Sequence, residues 1–480
     1  MSLNHSVDLE AAARAALEAV GRTGAPQWVA VQMEISSCDV LTAFENSESR
    51  DRFYWERPSE GRSIVGFGCA EAIEVEGEAR FTDASERAER VFSRVYVAGQ
   101  GAPLTAGPFL VGGFAFGNAA STQSHWRDFP AGRLTLPETT IAVAEGRSWC
   151  TLVRRVDAVQ SGNTARIICD DLRARLREVE RSLANCSLID ASSRSSRAVA
   201  ETGVPVDYHA LADRAHDEYR AQVAAALREI AIGSFEKVVL ARSISVREKS
   251  DYDPCALLDT LRRAHPTCAI FAVARPGGIF LGATPECLMR LVEGRVETAS
   301  VAGSAARGRS PEEDFELGRQ LRESKKEQTE HAFVVRALCD ALAPHCDALE
   351  VRESPRLMRL QDIQHLETPI TGRLRARRSI LELLGSVHPT PAIAGAPREA
   401  ALDWLSRNEN LDRGWYSGPI GFADSEGGGE FYAALRSAVL RGSEARLFAG
   451  AGVVAGSDPE TELRETRLKL RAMLAPLMEI

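Results

Sequence analysis

The grouping of strand-like segments constrains this chain more than any other feature. Short runs of apolar and β-branched residues follow one another through glycine-containing turns, and helical periodicity falls between groups of strands rather than after each one. Parallel strands need a long crossover, usually a helix, whereas antiparallel strands are joined by short turns. The pattern therefore predicts an α+β architecture with antiparallel sheets.

Residues 7–20 read as a helix with Leu9, Ala13, Leu17 and Val20 on one side. Residues 28–35 read as a strand, 107–117 as a strand broken by paired glycines, and 133–144 and 151–156 as further strand-like pieces; 88–99 give no single assignment. Residues 170–184 are helical and highly charged. The clearest composition break is SLIDASSRSSRAVAETGVP (187–205), rich in Ser and Arg and poor in large apolar residues. It divides the chain into an N-terminal subdomain (1–190), a linker or surface loop (191–206) and a C-terminal part (207–480). Beyond the break come a helix at 208–230, a strand at 237–246, a helix near 254–265, strands around 268–284, 287–292 and 295–302, and helices near 312–323 and 326–343.

Charge narrows the function. With 58 Lys+Arg against 67 Asp+Glu, the net charge of −9 argues against nucleic acid, whose binders carry a basic face. A small anion, if bound, must be held by local cations, backbone amides or a metal. The 10 Cys show neither CxxC nor zinc-site spacing, which suggests buried thiols in a reducing compartment. The first residues lack the basic start and apolar region of a signal peptide. No apolar run approaches the roughly 18 residues of a membrane span, so a cytoplasmic protein with no membrane partner is expected.

Several segments carry reactive side chains. RLFAGAGVVAGSDPETELRETRLKL reads as a strand, a glycine-rich turn over Gly450–Ala451–Gly452, and a helix capped by Ser457 or Asp458. Glu460, Glu462 and Glu465 occupy its first turns, where the helix dipole favours negative charge, and Glu465 and Lys469 form an i, i+4 pair. Caps and a solvated pair are the plainer reading of this helix, ahead of metal ligation. Glu327 and Glu330 share one face of a second helix, where solvation is again the plainer reading. Glu286 follows a Gly-Ala-Thr-Pro turn, placed equally well for a catalytic acid or a salt-bridged structural one. Lys237 opens an apolar strand; such a lysine usually reaches water, but a desolvated one can serve as a base near neutral pH. His365, Thr368, Tyr416 and Arg436 lie in two further segments, and Arg436 at the end of FYAALRSAVL could grip a carboxylate bidentately.

Taken in order, KVVLAR, GATPE, VAGSAARG, SKKEQTEH, IQHLETPITG, HPTPAIAGAP, RGWYSGPIGF, GEFYAALRSA and LFAGAGVVAGSDPETELRET resemble the motifs of the chorismate-utilising enzymes over residues 207–480. The resemblance implies the anthranilate synthase component I-like fold, with large antiparallel sheets packed together and helices outside. Family members that use ammonia carry Gln where this chain has Lys237, and those that use water carry Lys. VAGS (301–304) stands where the aminodeoxychorismate synthases have a nucleophilic Lys. GGFAFG (112–117) with W-x-x-F-P (126–130) is similar to the menaquinone-pathway isochorismate synthases. KEQTEH (326–331) departs from the frequent KDRHEH but keeps Glu330.

The resemblance further implies Mg²⁺ held by Glu330 and Glu465 on the ring carboxylate of chorismate, with Glu327 and Glu462 behind them. The second carboxylate would meet Arg436, Tyr416 and the amides of Gly450, Ala451 and Gly452. His365, Thr368, Gly303 and Ser304 would line the pocket, and Lys469 would steady it. Lys237 would activate water for addition at C2, and Glu286 would protonate the hydroxyl leaving C4, giving isochorismate. Salicylate synthase, which goes on to eliminate pyruvate, and a siderophore-pathway isochorismate synthase are the alternatives. No glutaminase subunit is expected.

Overall fold

The computed structural model describes residues 3–99, 102–157, 164–186 and 216–479. The linker read at 191–206 and the first part of the helix read at 208–230 lie outside the described residues; the described helix is His216–Ala231.

Two large sheets form the molecule, one of 12 strands and one of 10, of which Arg356–Arg359 lies off the main path and pairs only with Ile363–Leu374. Every described strand pairing is antiparallel except Gln27–Ile35 with Val95–Ala98. N-terminal strands enter both sheets: Arg52–Arg57 pairs with Ala269–Arg275 in the larger, and Phe109–Phe114 with Pro419–Asp424 in the smaller.

The sheets meet across an aromatic layer that includes Trp55, Trp126, Phe129, Phe280, Trp415, Phe422 and Phe448. Trp55 of the larger sheet meets Phe422 of the smaller edge to face, with ring centroids 5.2 Å apart. Helices cover the outer faces. Pro254–Ala264 and Pro459–Glu479 pack on the larger sheet through Leu258, Leu261, Leu470 and Leu474. Arg80–Phe92, Lys325–Leu342 and Ile380–Val387 pack on the smaller through Phe81, Val334, Leu338 and Leu384. Central strands are thus covered on both sides; all seven residues of Ala269–Arg275 are buried. No described helix is long and apolar enough to cross a membrane.

Several readings from the sequence need correction. The paired glycines do not break a strand, since Phe109–Phe114 runs through Gly112 and Gly113. Residues 88–99 divide into the end of helix Arg80–Phe92 and strand Val95–Ala98. FYAALRSAVL is not one strand: Gly429–Ala433 belongs to the smaller sheet, Ser437–Arg441 to the larger, and Arg436 lies in the crossing.

Candidate active site

Two neighbouring crossings between the sheets create the site. Gly278–Thr284 belongs to the larger sheet and Cys287–Val292 to the smaller, so Pro285 and Glu286 form the link. The second crossing, after Ala433, carries Arg436 in the left-handed region at φ 46°. Main-chain bonds lock the two together: Ala433 N donates to Glu286 O at 3.0 Å and Ala283 N to Arg436 O at 3.1 Å. Gly282, first residue of the GATPE motif, is explained here, because a Cβ on it would lie 2.5 Å from the Arg436 carbonyl oxygen.

A cavity of about 70 Å³ beside these crossings is lined by Glu286, Gly303, Ser304, Glu330, His365, Tyr416, Arg436, Gly450, Gly452, Glu465 and Lys469. Lys237 enters from strand Lys237–Arg247 and is fully buried, its Nζ 3.0 Å from Glu330 Oε1. A larger cavity, about 740 Å³, is lined by Trp55, Arg62, Leu291, Phe422 and Glu430 and contains none of these groups. Convergent, perturbed titratable groups mark the smaller one as the chemical site.

Burial pushes the Glu286 carboxyl up to about 7, against the pull of Lys237 and Lys469. Glu330, equally desolvated, is held below the ordinary carboxylate range by Lys237. Desolvation, reinforced by the Arg436 charge, keeps the His365 imidazole neutral, its pKa well below the usual value. Its tautomer follows from its neighbours. Arg436 Nη2 can only donate, so His365 Nε2 accepts at 3.1 Å, and Nδ1 carries the proton facing Gly303 O at 3.3 Å and Ser304 Oγ at 3.1 Å. Arg436 is buried and has no ion-pair partner among the described residues. Burying a guanidinium without a counter-ion is costly, so this one is poised for an anion.

Acidic side chains from two helices face each other at the other end of the cavity. Helix Lys325–Leu342 supplies Glu327 and Glu330; helix Pro459–Glu479 supplies Glu462 and Glu465. Three lysines answer these four carboxylates: Lys237 on Glu330, Lys469 on Glu465 at 2.7 Å, and Lys326 on Glu462 at 2.8 Å and Glu327 at 3.4 Å. Burial, then the charge of Glu330, raises Glu327 to about 7, and burial with Glu465 raises Glu462. This surplus of like charge, presented entirely through oxygen, suits a hard divalent cation. Among the described residues no three His, Cys, Asp or Glu converge to hold an ion by themselves. A two-carboxylate site completed by water and substrate fits that arrangement. Gly452 belongs to the same end: a Cβ there would collide with Glu330 Oε1.

Two placements expected from the sequence change once the chain is folded, that of Gly450–Ala451–Gly452 and that of Thr368. Gly450, Ala451 and Gly452 form no turn; they lie within strand Glu444–Val454, and the turn follows at Gly456. Alternation along that strand leaves Gly450 and Gly452 on the cavity and turns Ala451 away. Thr368 does not line the cavity but bonds His331 Nε2 behind it at 2.7 Å. Asp458, with its Oδ1 accepting from Thr461 N at 2.9 Å, caps the last helix. Glu327 and Glu462 stand behind the cavity wall, where Glu327 Oε2 accepts from Ser304 N at 3.1 Å. Sequence reasoning missed Lys326 and the buried Glu409–Arg413 pair, because both lie in polar, charged stretches, SKKEQTEH and RNENLDRG, that read as solvated surface.

The fold and this site define a class, that of the chorismate-binding enzymes. The profile of the family described as chorismate binding enzyme matches residues 14–478, and the chain belongs to that family. It is 37% identical over 464 residues to the salicylate biosynthesis isochorismate synthase of Pseudomonas aeruginosa, covering 95% of this chain and 91% of that one. It is 31% identical over 457 residues to isochorismate synthase MenF of Bacillus subtilis, covering 94% and 93%. The structure matches MenF, the menaquinone-specific isochorismate synthase from Escherichia coli, with TM-score 0.72 and 25% identity over 97% of this chain and 100% of that one. Anthranilate synthase component I from Streptococcus pneumoniae shares the fold at TM-score 0.65 and 19% identity, over 86% and 92% of the two chains.

Proposed function

We infer that this chain is an isochorismate synthase, an isomerase that adds water at C2 of chorismate and expels the C4 hydroxyl, serving menaquinone biosynthesis. One observation carries the reading: buried Glu286 lines the cavity in which Arg436 awaits an anion, and buried Lys237 stands directly behind its wall, on the lining residue Glu330. The described N-terminal strands complete both sheets, and the N-terminal region forms one catalytic unit with the rest.

Glu286, still protonated near neutral pH, donates to the departing hydroxyl. Lys237, uncharged at the moment of attack, takes a proton from water; in the resting site its ammonium is held by Glu330. Each transfer is worth about 10²–10⁴-fold. Arg436, oriented by His365, receives the enolpyruvyl carboxylate, and Tyr416, stacked on Phe448 at 5.2 Å, forms the wall beside it. Glu330 and Glu465 would hold Mg²⁺, which supplies positive charge for the ring carboxylate. Lys326 keeps Glu327 and Glu462 in place behind them.

Incubation of the protein with chorismate and Mg²⁺, with products resolved by chromatography, tests the reading; isochorismate is expected. Fluorescent salicylate with stoichiometric pyruvate, and no isochorismate accumulating, would replace the isomerase with the salicylate synthase reading. Recovery of unchanged chorismate would refute both.

A further inference from the structure

The strand that carries Lys237 is an inner strand for only two residues of its outer edge. On one side Lys237–Arg247 pairs along its whole length with Glu444–Val454; on the other, Gly395–Ala396 meets only Lys237 and Val238. Past that point, backbone groups in the interior need other partners. Val239 N donates to Ala394 O at 2.8 Å, and the next groups turn to side chains. Arg413 Nη2 donates to Val239 O at 2.7 Å, and Glu409 Oε1 accepts from Ala241 N at 2.7 Å. The guanidinium and the carboxylate thus provide the donor and the acceptor that a neighbouring strand would have offered.

The pair is tightly built. Arg413 Nη2 and Nε meet the two Glu409 oxygens at 2.6 and 2.8 Å, and both residues are buried. Arg413 Nη1 donates to Ile393 O at 2.7 Å and Ser417 Oγ at 3.4 Å. All five N–H groups are therefore committed, and the Phe116 ring centroid lies 4.2 Å from Cζ. The Arg413 carbonyl also accepts from Tyr416 N at 2.9 Å, which closes the turn presenting Tyr416. Two arginines border the cavity, and their hydrogen bonds separate them. Arg436 has donors to spare and no carboxylate, whereas Arg413 has neither a free donor nor a missing counter-ion. A buried ion pair is weak evidence for stability, since apolar residues of equal volume often serve as well.

We propose that Glu409 and Arg413 are positioning residues for the reaction: their ion pair stands in for the missing strand and fixes Lys237 and Tyr416 relative to each other, while Arg436 alone anchors the substrate carboxylate. The assignment rests on the isochorismate synthase reading. It makes Arg413 a determinant of kcat rather than of substrate affinity.

The test compares Arg413→Lys with Arg436→Lys in the full-length enzyme, by steady-state kinetics with chorismate and Mg²⁺ beside wild type. Lysine keeps the charge and loses the planar fork. Arg413→Lys is expected to lower kcat by about 10–100-fold with KM within about twofold of wild type, a loss a 1 Å misplacement of catalytic groups is enough to cause. Arg436→Lys is expected to raise KM at least about tenfold. Glu409→Asp, which keeps both charges but shortens the reach to Ala241 N, should give a smaller kcat loss and serves if Arg413→Lys does not fold. The assignment is overturned if Arg413→Lys raises KM and spares kcat, if both constants match wild type, or if the kcat loss vanishes in assays well below the variant's melting temperature. Absence of chorismate turnover by wild type would instead overturn the functional reading, and this assignment with it.

Discussion

Glu286 shows how one residue's surroundings set its chemistry. Its carboxyl titrates near 7 because it is buried, so the proton needed for the leaving hydroxyl is present at neutral pH and lost above it. Activity dependent on that proton should fall on the alkaline side of about pH 7. Glu286→Gln should cost at least about 10² in kcat. Stability should fall with rising pH as well. The folded value lies above the unfolded 4.5, so the wild-type side chain stabilises most below pH 4.5 and loses that contribution as pH rises through about 7. The melting temperature of Glu286→Gln should therefore gain on wild type between pH 5 and pH 8; calorimetric scans showing no such gain would place the carboxylate in contact with water. Lys237 and Glu286 both stand out in the sequence as ionisable residues inside apolar or turn motifs, and it is the family resemblance that implies their roles. What the sequence could not supply was depth: full burial of Lys237 comes from strands hundreds of residues away.

At the scale of elements, the carboxylates depend on two helices and a strand meeting. Glu465→Gln should weaken Mg²⁺ binding at least about tenfold, measured by calorimetric titration, because half of the two-carboxylate site is gone. Gly452→Ala is a finer probe. Its methyl would displace the end of the Glu330 side chain and press on Lys237 Cε, 3.2 Å away, side-chain ends rather than backbone, so the melting temperature should hold while turnover falls about 10–100-fold. An equal loss of both would mean that the strand itself had moved. The helices were legible, since 326–343 and the helix after Pro459 carried caps and an apolar stripe. The glycines mislead. Gly450–Ala451–Gly452 looks like a turn because glycine usually marks one, but here small residues let helices bearing Glu330 and Lys469 approach a continuous strand.

At the scale of the molecule, the antiparallel α+β class was readable from the grouping of strands, yet much of the N-terminal region was not. Strands Arg52–Arg57 and Arg62–Phe67 leave little mark in the sequence because elements covered on two faces lose the simple in-out alternation. The W-x-x-F element proves to be the support for the site. Trp126 stacks on Phe448 at 5.5 Å, Phe448 on Tyr416 at 5.2 Å, and Trp415 Nε1 donates to Pro130 O at 2.7 Å. Trp126→Ala should cost about 3–5 kcal/mol in urea unfolding, as for a large core aromatic, and lower turnover through the Tyr416 wall. The paired crossings carry a longer consequence. Glu286 and Arg436 are spaced by amide-to-carbonyl links, not by their own side chains. A lineage can therefore redesign the lining around them, and with it the product, while the distance from proton donor to anion anchor is inherited unchanged.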